Sequence, residues 1–418
     1  MLPLELIRAR PDDVKRCAEL KGEPAPVDEI LAVDAEWRRL TSQAESTRAE
    51  QNELGKRFAQ SKEESLLPRM RELGERARTQ MTQAQEERRK LDELLLLVPN
   101  LFDDSVPVGR DETGNVTVRD WGEKRTYDFS PRTHYDLGET LGIMDFEHPA
   151  KVAGSRFGSL SGPGARLQRA LVQFMLDTHT KEHGYRELYV PFLVNSDAMY
   201  GTANLPKYAG DSFQLADRDL WLIPTAEVPV TNWHRDEILD AAGLPIKYVA
   251  HTPCWRSEAG AAGKDTRGYI RMHQFEKVEL VKLTASETSM DELESLTRDA
   301  EMVLQRLDLH YRVVLMCSGD MGFAQYKKYD LEAWCPGVGR YLEVSSCSVF
   351  GDFQARRANI RYRPEPGAPP KFVHTLNGSG LALARTLDAV LETYQNGDGS
   401  VTVPDVLTPY MGGVEEIR

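Results

Sequence analysis

The chain has 418 residues and a formal net charge of -13, from 52 Lys and Arg against 65 Asp and Glu. This excludes a uniformly basic nucleic-acid coat, but it leaves room for a local basic surface and for two or three domains around a large core. The five cysteines, Cys17, Cys254, Cys317, Cys335 and Cys347, are scattered without a Cys-x-x-Cys pair, which argues for a reducing compartment and against a cysteine-based zinc site. The opening run MLPLELIRARPDD carries early charge and no signal-like apolar stretch. No later segment reaches membrane-span length, so a cytoplasmic protein with no membrane association is expected.

Beyond Pro24 and Pro26, apolar positions recur at Ile30, Val33, Trp37, Leu40, Ala44, Leu54 and Phe58, with Thr47 and Gln51 as polar interruptions of a heptad seam. A second seam through Met70, Leu73, Ala77, Gln80, Ala84, Glu87, Leu91, Leu94 and Val98 ends at Pro99-Asn100, and Ser65 and Pro68 are placed like a helix start. Two seams of equal length joined by a short link predict an antiparallel helical hairpin over about 27–98. Each helix would reach roughly 45 Å, too long for a compact core. The distal half carries Lys56, Arg57, Lys62, Arg69, Arg71, Arg76 and Arg78 on an acidic chain. A locally positive rod suits structured RNA gripped by backbone and shape, while a coiled coil joining protein partners would show the same seams.

Residues 101–153, broken by Pro107, Gly109, Gly114 and Pro131, read as a linker. The Gly-rich run 154–164 lacks the Gly-Lys-Ser/Thr ending of a phosphate loop, so turns are expected there. Helical spacing follows over 165–183, then a strand-like stretch over 185–194 around Pro191. His179 and His183 lie four apart on that helix, but no third metal ligand is in view. Strand-like pieces at 208–215 and 220–224 lead to Thr225-Ala226-Glu227, which has the look of a capping box.

Two long strands, 248–255 and 273–283, enclose a loop of Gly, Ala and charge that carries Arg256, Glu258, Lys264, Asp265, Arg267 and Arg271. Arginine offers a permanently charged planar fork of donors, suited to phosphate, and Phe275 offers a flat aromatic face. After a helix over 286–307 come strands at 311–315, 329–334 and 340–349. The last carries Glu343-Val344-Ser345-Ser346, which alone would be a plain strand. A strand at 372–376 precedes Asn377-Gly378-Ser379-Gly380, read as a loop, and a helix over 381–395 with Arg385 near its start. With no regular βαβ alternation, the fold class is α+β on an antiparallel sheet.

The run Arg256-Ser257-Glu258, then Arg267-Gly268 and Arg271-Met272-His273-Gln274-Phe275, closely resembles the second signature motif of class II aminoacyl-tRNA synthetases, in detail the bacterial seryl-tRNA synthetase form. The helix and proline-bearing strand over 165–194 resemble the first motif, and TLNGSGLALART over 375–386 resembles the third. The resemblance implies a class II antiparallel sheet flanked by helices, with an N-terminal antiparallel two-helix coiled-coil arm. It divides the chain into a tRNA-binding domain (1–100), a linker (101–153) and a catalytic domain (154–418). It also implies a homodimer built on the first motif. The implied activity is ATP- and Mg²⁺-dependent ligation of L-serine to tRNA(Ser) through seryl-adenylate, with tRNA(Sec) as a further candidate acceptor.

By the same resemblance, Arg256 meets the α-phosphate and the incoming carboxylate, and Arg271 and Arg385 meet the outer phosphates; these three are the catalytic set. Glu258 takes the adenine amino group, Phe275 stacks on the ring, and Ser257, Met272, Val344 and Ser345 complete the ATP site. Glu343 and Ser346 hold Mg²⁺. Thr225, Ala226, Glu227, Glu279, Asn377 and Ser379 bind serine, with Glu279 on its ammonium. Lys56, Arg57, Lys62, Arg69 and Arg76 on the arm, and Lys264 and Arg267 on the loop, meet tRNA. The family usually has larger or more polar residues where this chain has Ala261-Ala262. A small pocket with polar groups that the serine hydroxyl must satisfy would reject alanine strongly. An amino-acid ligase loading a carrier protein and an inactive RNA-binding paralogue are the competing readings.

Overall fold

The computed structural model describes residues 1–259 and 267–418 and divides into two compact units, Met1–Pro99 and Asn100–Arg418. Ala261, Ala262, Lys264 and Asp265 of the charged loop lie outside the described residues.

In the first unit, short helices Leu4–Ala9 and Pro11–Leu20 precede α1 (Val27–Ser61) and α2 (Leu67–Leu95), which pack along each other as the seams require. Ile30, Leu40, Ala44, Leu73, Ala84 and Leu91 are buried between them. The polar interruptions pair with one another. Thr47 donates to Gln80 Oε1 at 2.9 Å, and Gln51 Nε2 donates to the Met70 carbonyl at 3.2 Å, close against Gly74, where a Cβ would crowd the Gln51 amide. Satisfied polar pairs inside an apolar seam penalise any slipped register. Helix α1 ends on Lys62 in the left-handed region (φ 55°), and Pro68 sits in the first turn of α2, where its missing N–H costs nothing.

The second unit is built on eight strands. They are β1 (Val116–Trp121), β2 (Arg186–Glu187), β3 (Ile246–Trp255), β4 (Gln274–Thr284), β5 (Tyr311–Leu315), β6 (Lys327–Cys335), β7 (Arg340–Val349) and β8 (His374–Ala382). Their order is β1-β5-β6-β7-β8-β4-β3-β2, antiparallel throughout except for the parallel β3–β2 edge. Thus β1, from the stretch read as linker, closes one edge of the sheet. Three helices cover one face: α4 (Gly162–Lys181), α5 (Ser289–Arg306) and α6 (Leu383–Thr393). Helix α3 (His134–Thr140) packs beside α6. Leu167, Leu171, Leu296, Val303, Leu387 and Leu391 bury there against Val278, Leu280, Val344 and Leu376. Each fully buried side chain of this size is worth about 1.5–3 kcal/mol.

Because side chains alternate along a strand, Val278 and Leu280 of β4 face the helices while Phe275, Lys277 and Glu279 face away from them. In β8, Gly378 and Gly380 take the helix side and Asn377 and Ser379 the opposite one, with Ser379 paired to Glu279 across the ladder. The 377–380 run is therefore strand, contrary to its reading as a loop. A Cβ on Gly378 would lie 2.2 Å from Leu296 of α5, and one on Gly380 would lie 2.6 Å from His179 of α4, so these glycines admit helices close to the sheet. The stretch 208–215 is likewise no strand. It holds a 3₁₀ turn, Ala209–Asp211, and a single bridge from Gln214 to Trp221. Over 185–194 only Arg186–Glu187 and Leu193–Val194 are extended in ladders. Among the described residues, no helix is long and apolar enough to cross a membrane.

Candidate active site

The face of the sheet opposite the helices carries a cleft of about 700 Å³. It gathers residues far apart in sequence: Thr225 and Glu227 from before β3, Arg256, Glu258, Arg271, Met272 and Phe275 around the β3–β4 connection, and Lys277 and Glu279 on β4. Glu343, Val344, Ser345 and Ser346 come from β7, Asn377 and Ser379 from β8, and Arg385 from α6.

At one end the carboxylates are deeply buried. Glu279 is 1% exposed, and its Oε2 lies 2.5 Å from the Lys277 ammonium, while its Oε1 has no hydrogen-bond partner among the described residues. Glu227 accepts from Gln354 Nε2 at 2.6 Å and from Asn377 Nδ2 at 2.7 Å. Burial, and then the nearby Glu279, push the Glu227 carboxyl up to about 7. Thr225 Oγ1 accepts the Glu227 N–H at 3.2 Å, but the Glu227 side chain turns into the cleft, so no reciprocal capping box forms. Ala226 is fully buried among Val190, Val230, Tyr248 and Val281 and does not line the cleft.

At the other end each guanidinium is held by an acceptor. Arg256 Nε donates to the Pro224 carbonyl at 3.2 Å, and its guanidinium carbon stands 5.2 Å from the Phe275 ring centre. Glu258 adopts φ 50°, which turns its carboxylate to Arg271 at 2.5 Å. Arg385 donates from Nε to the Ile270 carbonyl at 3.1 Å and from Nη1 to the Glu343 carbonyl at 2.8 Å, with the Glu343 carboxylate 3.4 Å away. Although the cleft partly desolvates the half-exposed Glu343, the charges of Arg385, Lys328 and Arg256 lower its carboxyl. Cations fixed in advance spend little on reorganisation when charge arrives. Ser257 instead ties the backbone and hydroxyl to the 210–211 turn, outside the cleft lining.

Several lining residues carried no signal in isolation. Lys277 sits between Phe275 and Glu279 at a spacing of two, so strand alternation alone places it on their face. Lys328, paired with Asp330 at 3.1 Å, has no such marker, nor has Gln354, which holds Glu227 without lining the cleft itself. His179 is buried with Nε2 3.0 Å from the Gly380 carbonyl and Nδ1 3.0 Å from His183 Nδ1, a packing role. Lys56, Arg57, Lys62, Arg69 and Arg76 are all exposed on the helical hairpin, where Arg69 pairs with Glu50 and Glu72. Arg267 stacks over Tyr135 at 4.8 Å.

Comparison with known proteins bears directly on this site. The family model for the tRNA synthetase class II core domain (G, H, P, S and T) matches residues 212–394, and that for the seryl-tRNA synthetase N-terminal domain matches residues 1–102. The serine–tRNA ligase of Thermomicrobium roseum is 54% identical, over 100% of this chain and 95% of its own. That of Thermodesulfovibrio yellowstonii is 52% identical over 100% of both. The crystal structure of seryl-tRNA synthetase from Pyrococcus horikoshii complexed with ATP matches with a TM-score of 0.95 at 39% identity, covering 100% of this chain and 99% of that one.

Proposed function

Because the chain belongs to the seryl-tRNA synthetase family, the class II serine–tRNA ligases, we propose that its cleft joins L-serine to ATP as seryl-adenylate and then delivers the seryl group to tRNA(Ser). A carboxylate oxygen of serine attacks the α-phosphorus in line, the bond to the bridging oxygen breaks, and pyrophosphate leaves. The terminal ribose hydroxyl of the tRNA then attacks the adenylate carbonyl, and its proton passes to the phosphate of the departing AMP. In the activation step the carboxylate is already a nucleophile, so the protein supplies position and charge there and needs no general base.

The observation that carries this reading is the convergence of Arg256, Glu279, Glu343 and Arg385 on one cleft. The unpartnered Glu279 Oε1 suits the serine ammonium, and Thr225, Glu227, Asn377 and Ser379 form the small polar pocket around its side chain. Arg256 takes the α-phosphate and carboxylate, Arg271 and Arg385 the outer phosphates, Phe275 the adenine ring and Glu258 its amino group. Met272, Val344 and Ser345 line the nucleotide's path, with Ser257 and Ala226 supporting from behind.

Glu343 and Ser346 fit Mg²⁺: a half-exposed carboxylate stands beside a hydroxyl, with the Asp330 Oδ1 behind them unpartnered. Mg²⁺ prefers hard oxygen donors, which a carboxylate and a hydroxyl supply. When bound, it would neutralise phosphate charge. The exposed bases Lys56, Arg57, Lys62, Arg69 and Arg76, together with Lys264 and Arg267, are assigned to tRNA(Ser), with tRNA(Sec) as a second acceptor of the same build. A cytoplasmic homodimer completes the reading. Incubating the full chain with ATP, Mg²⁺, labelled serine and bulk tRNA should give acid-precipitable seryl-tRNA. Label passing only to a carrier protein, or adenylate formation with no charging, would overturn it.

A further inference from the structure

Outside the cleft, His134 of α3 and Asp388 and Glu392 of α6 form a fully buried titratable cluster that the reaction does not use. His134 Nδ1 lies 2.7 Å from Glu392 Oε1, which also accepts the His134 backbone N–H at 2.9 Å. Glu392 Oε2 accepts the N–H groups of Gly337 and Val338, at 2.7 and 3.1 Å, from the β6–β7 turn. His134 Nε2 and Asp388 Oδ2 are 3.5 Å apart, and neither they nor Asp388 Oδ1 have a hydrogen-bond partner among the described residues. Buried polar atoms left this way call for a reason.

The cluster's position supplies one. Gly268 (φ 77°), on the limb that returns from the charged loop to β4, lies against His134, and a Cβ there would fall 2.2 Å from Nε2. Two residues on, the Ile270 carbonyl accepts from Arg385, which stands one turn before Asp388 on α6. Arg271 follows immediately. The returning limb is thus held by α6 twice, through Arg385 and through the His134 cluster. Against the cost of burial, Asp388 and Glu392 hold His134 above its ordinary value, while burial pushes Asp388 up to about 7. An imidazole held at Nδ1 by Glu392 and faced at Nε2 by Asp388 is a fixed support.

We propose that His134, fixed by Asp388 and Glu392, is a positioning residue that seats the Gly268–Ile270 limb and thereby aims Arg271 and Arg385 at the nucleotide. The inference rests on the ATP-binding reading of the cleft. The test is serine-dependent ATP–pyrophosphate exchange by the full chain and its His134→Gln variant. If the wild type gives no exchange, the functional reading itself fails. With an active wild type, His134→Gln should raise KM for ATP by about tenfold and leave KM for serine within twofold, because the serine pocket on β4 and β8 does not touch the cluster. Asp388→Asn, which keeps the shape of the site, should give the same split and serves if His134→Gln does not fold. Unchanged ATP parameters in either folded variant, or a parallel rise in both KM values, would overturn the proposal.

Discussion

Replacing Glu279 by Gln probes the amino-acid end of the cleft. The carboxylate is 1% exposed, ion-paired with Lys277 at one oxygen and without a partner at the other. The amide keeps the volume but removes the charge that a buried ammonium would meet. A hydrogen bond assisted by charge contributes about 1.5–3 kcal/mol, and each ~1.4 kcal/mol is a factor of ten, so KM for serine should rise roughly 10- to 100-fold. KM for ATP should barely move, because Arg256, Arg271 and Arg385 are held by other partners. The variant should also melt earlier, since Lys277 loses its buried carboxylate, although the nearby Glu227 becomes easier to ionise and limits the damage. The assay is pyrophosphate exchange at saturating ATP with varied serine, on protein shown to be folded by circular dichroism. A folded variant with an unchanged KM for serine would refute the assignment of Glu279.

Glu227→Gln should show a pH-dependent effect on stability. The native carboxyl is raised to about 7, so the folded state holds a proton that the unfolded chain has already released, and stability falls as pH rises from about 4.5 to about 7. The amide variant lacks that penalty and should gain relative to wild type, by on the order of 3 kcal/mol, between pH 5 and pH 8 in urea melts; a constant difference would contradict the shift. Gly378→Ala should cost about 1–3 kcal/mol or more by forcing Leu296 aside, and an unchanged melting temperature would show that α5 yields freely. Deleting residues 44–84 of the hairpin should leave pyrophosphate exchange nearly intact and abolish tRNA charging. Equal loss of both would deny the arm a separate role.

The chain announced its site more plainly than some of its local backbone. Arginine, aromatic and carboxylate residues at fixed order around β3 and β4 pointed to a nucleotide site, and the heptad seams with Thr47, Gln51 and Gln80 pointed to the helical hairpin. The run 377–380 misled because glycine signals both turns and close packing. Only the proximity of Leu296 and His179, set by tertiary structure, shows which applies. The 208–215 stretch had strand-like composition, but the tertiary setting made a 3₁₀ turn of part of it, with Ser212 Oγ donating to the Tyr208 carbonyl. Gln354 and the His134 cluster were invisible because their partners lie 127 to 258 positions away, and Lys328 because it is an ordinary strand residue until folded. Lys277 was recoverable from alternation.

The central claim is that this cleft activates serine with ATP, and the most direct measurement is exchange of labelled pyrophosphate into ATP with serine, alanine and glycine offered separately, beside Arg256→Ala. The account predicts exchange with serine alone and its loss in a folded Arg256→Ala protein. Exchange with alanine or glycine but not serine, or full activity in the Arg256 variant, would contradict it.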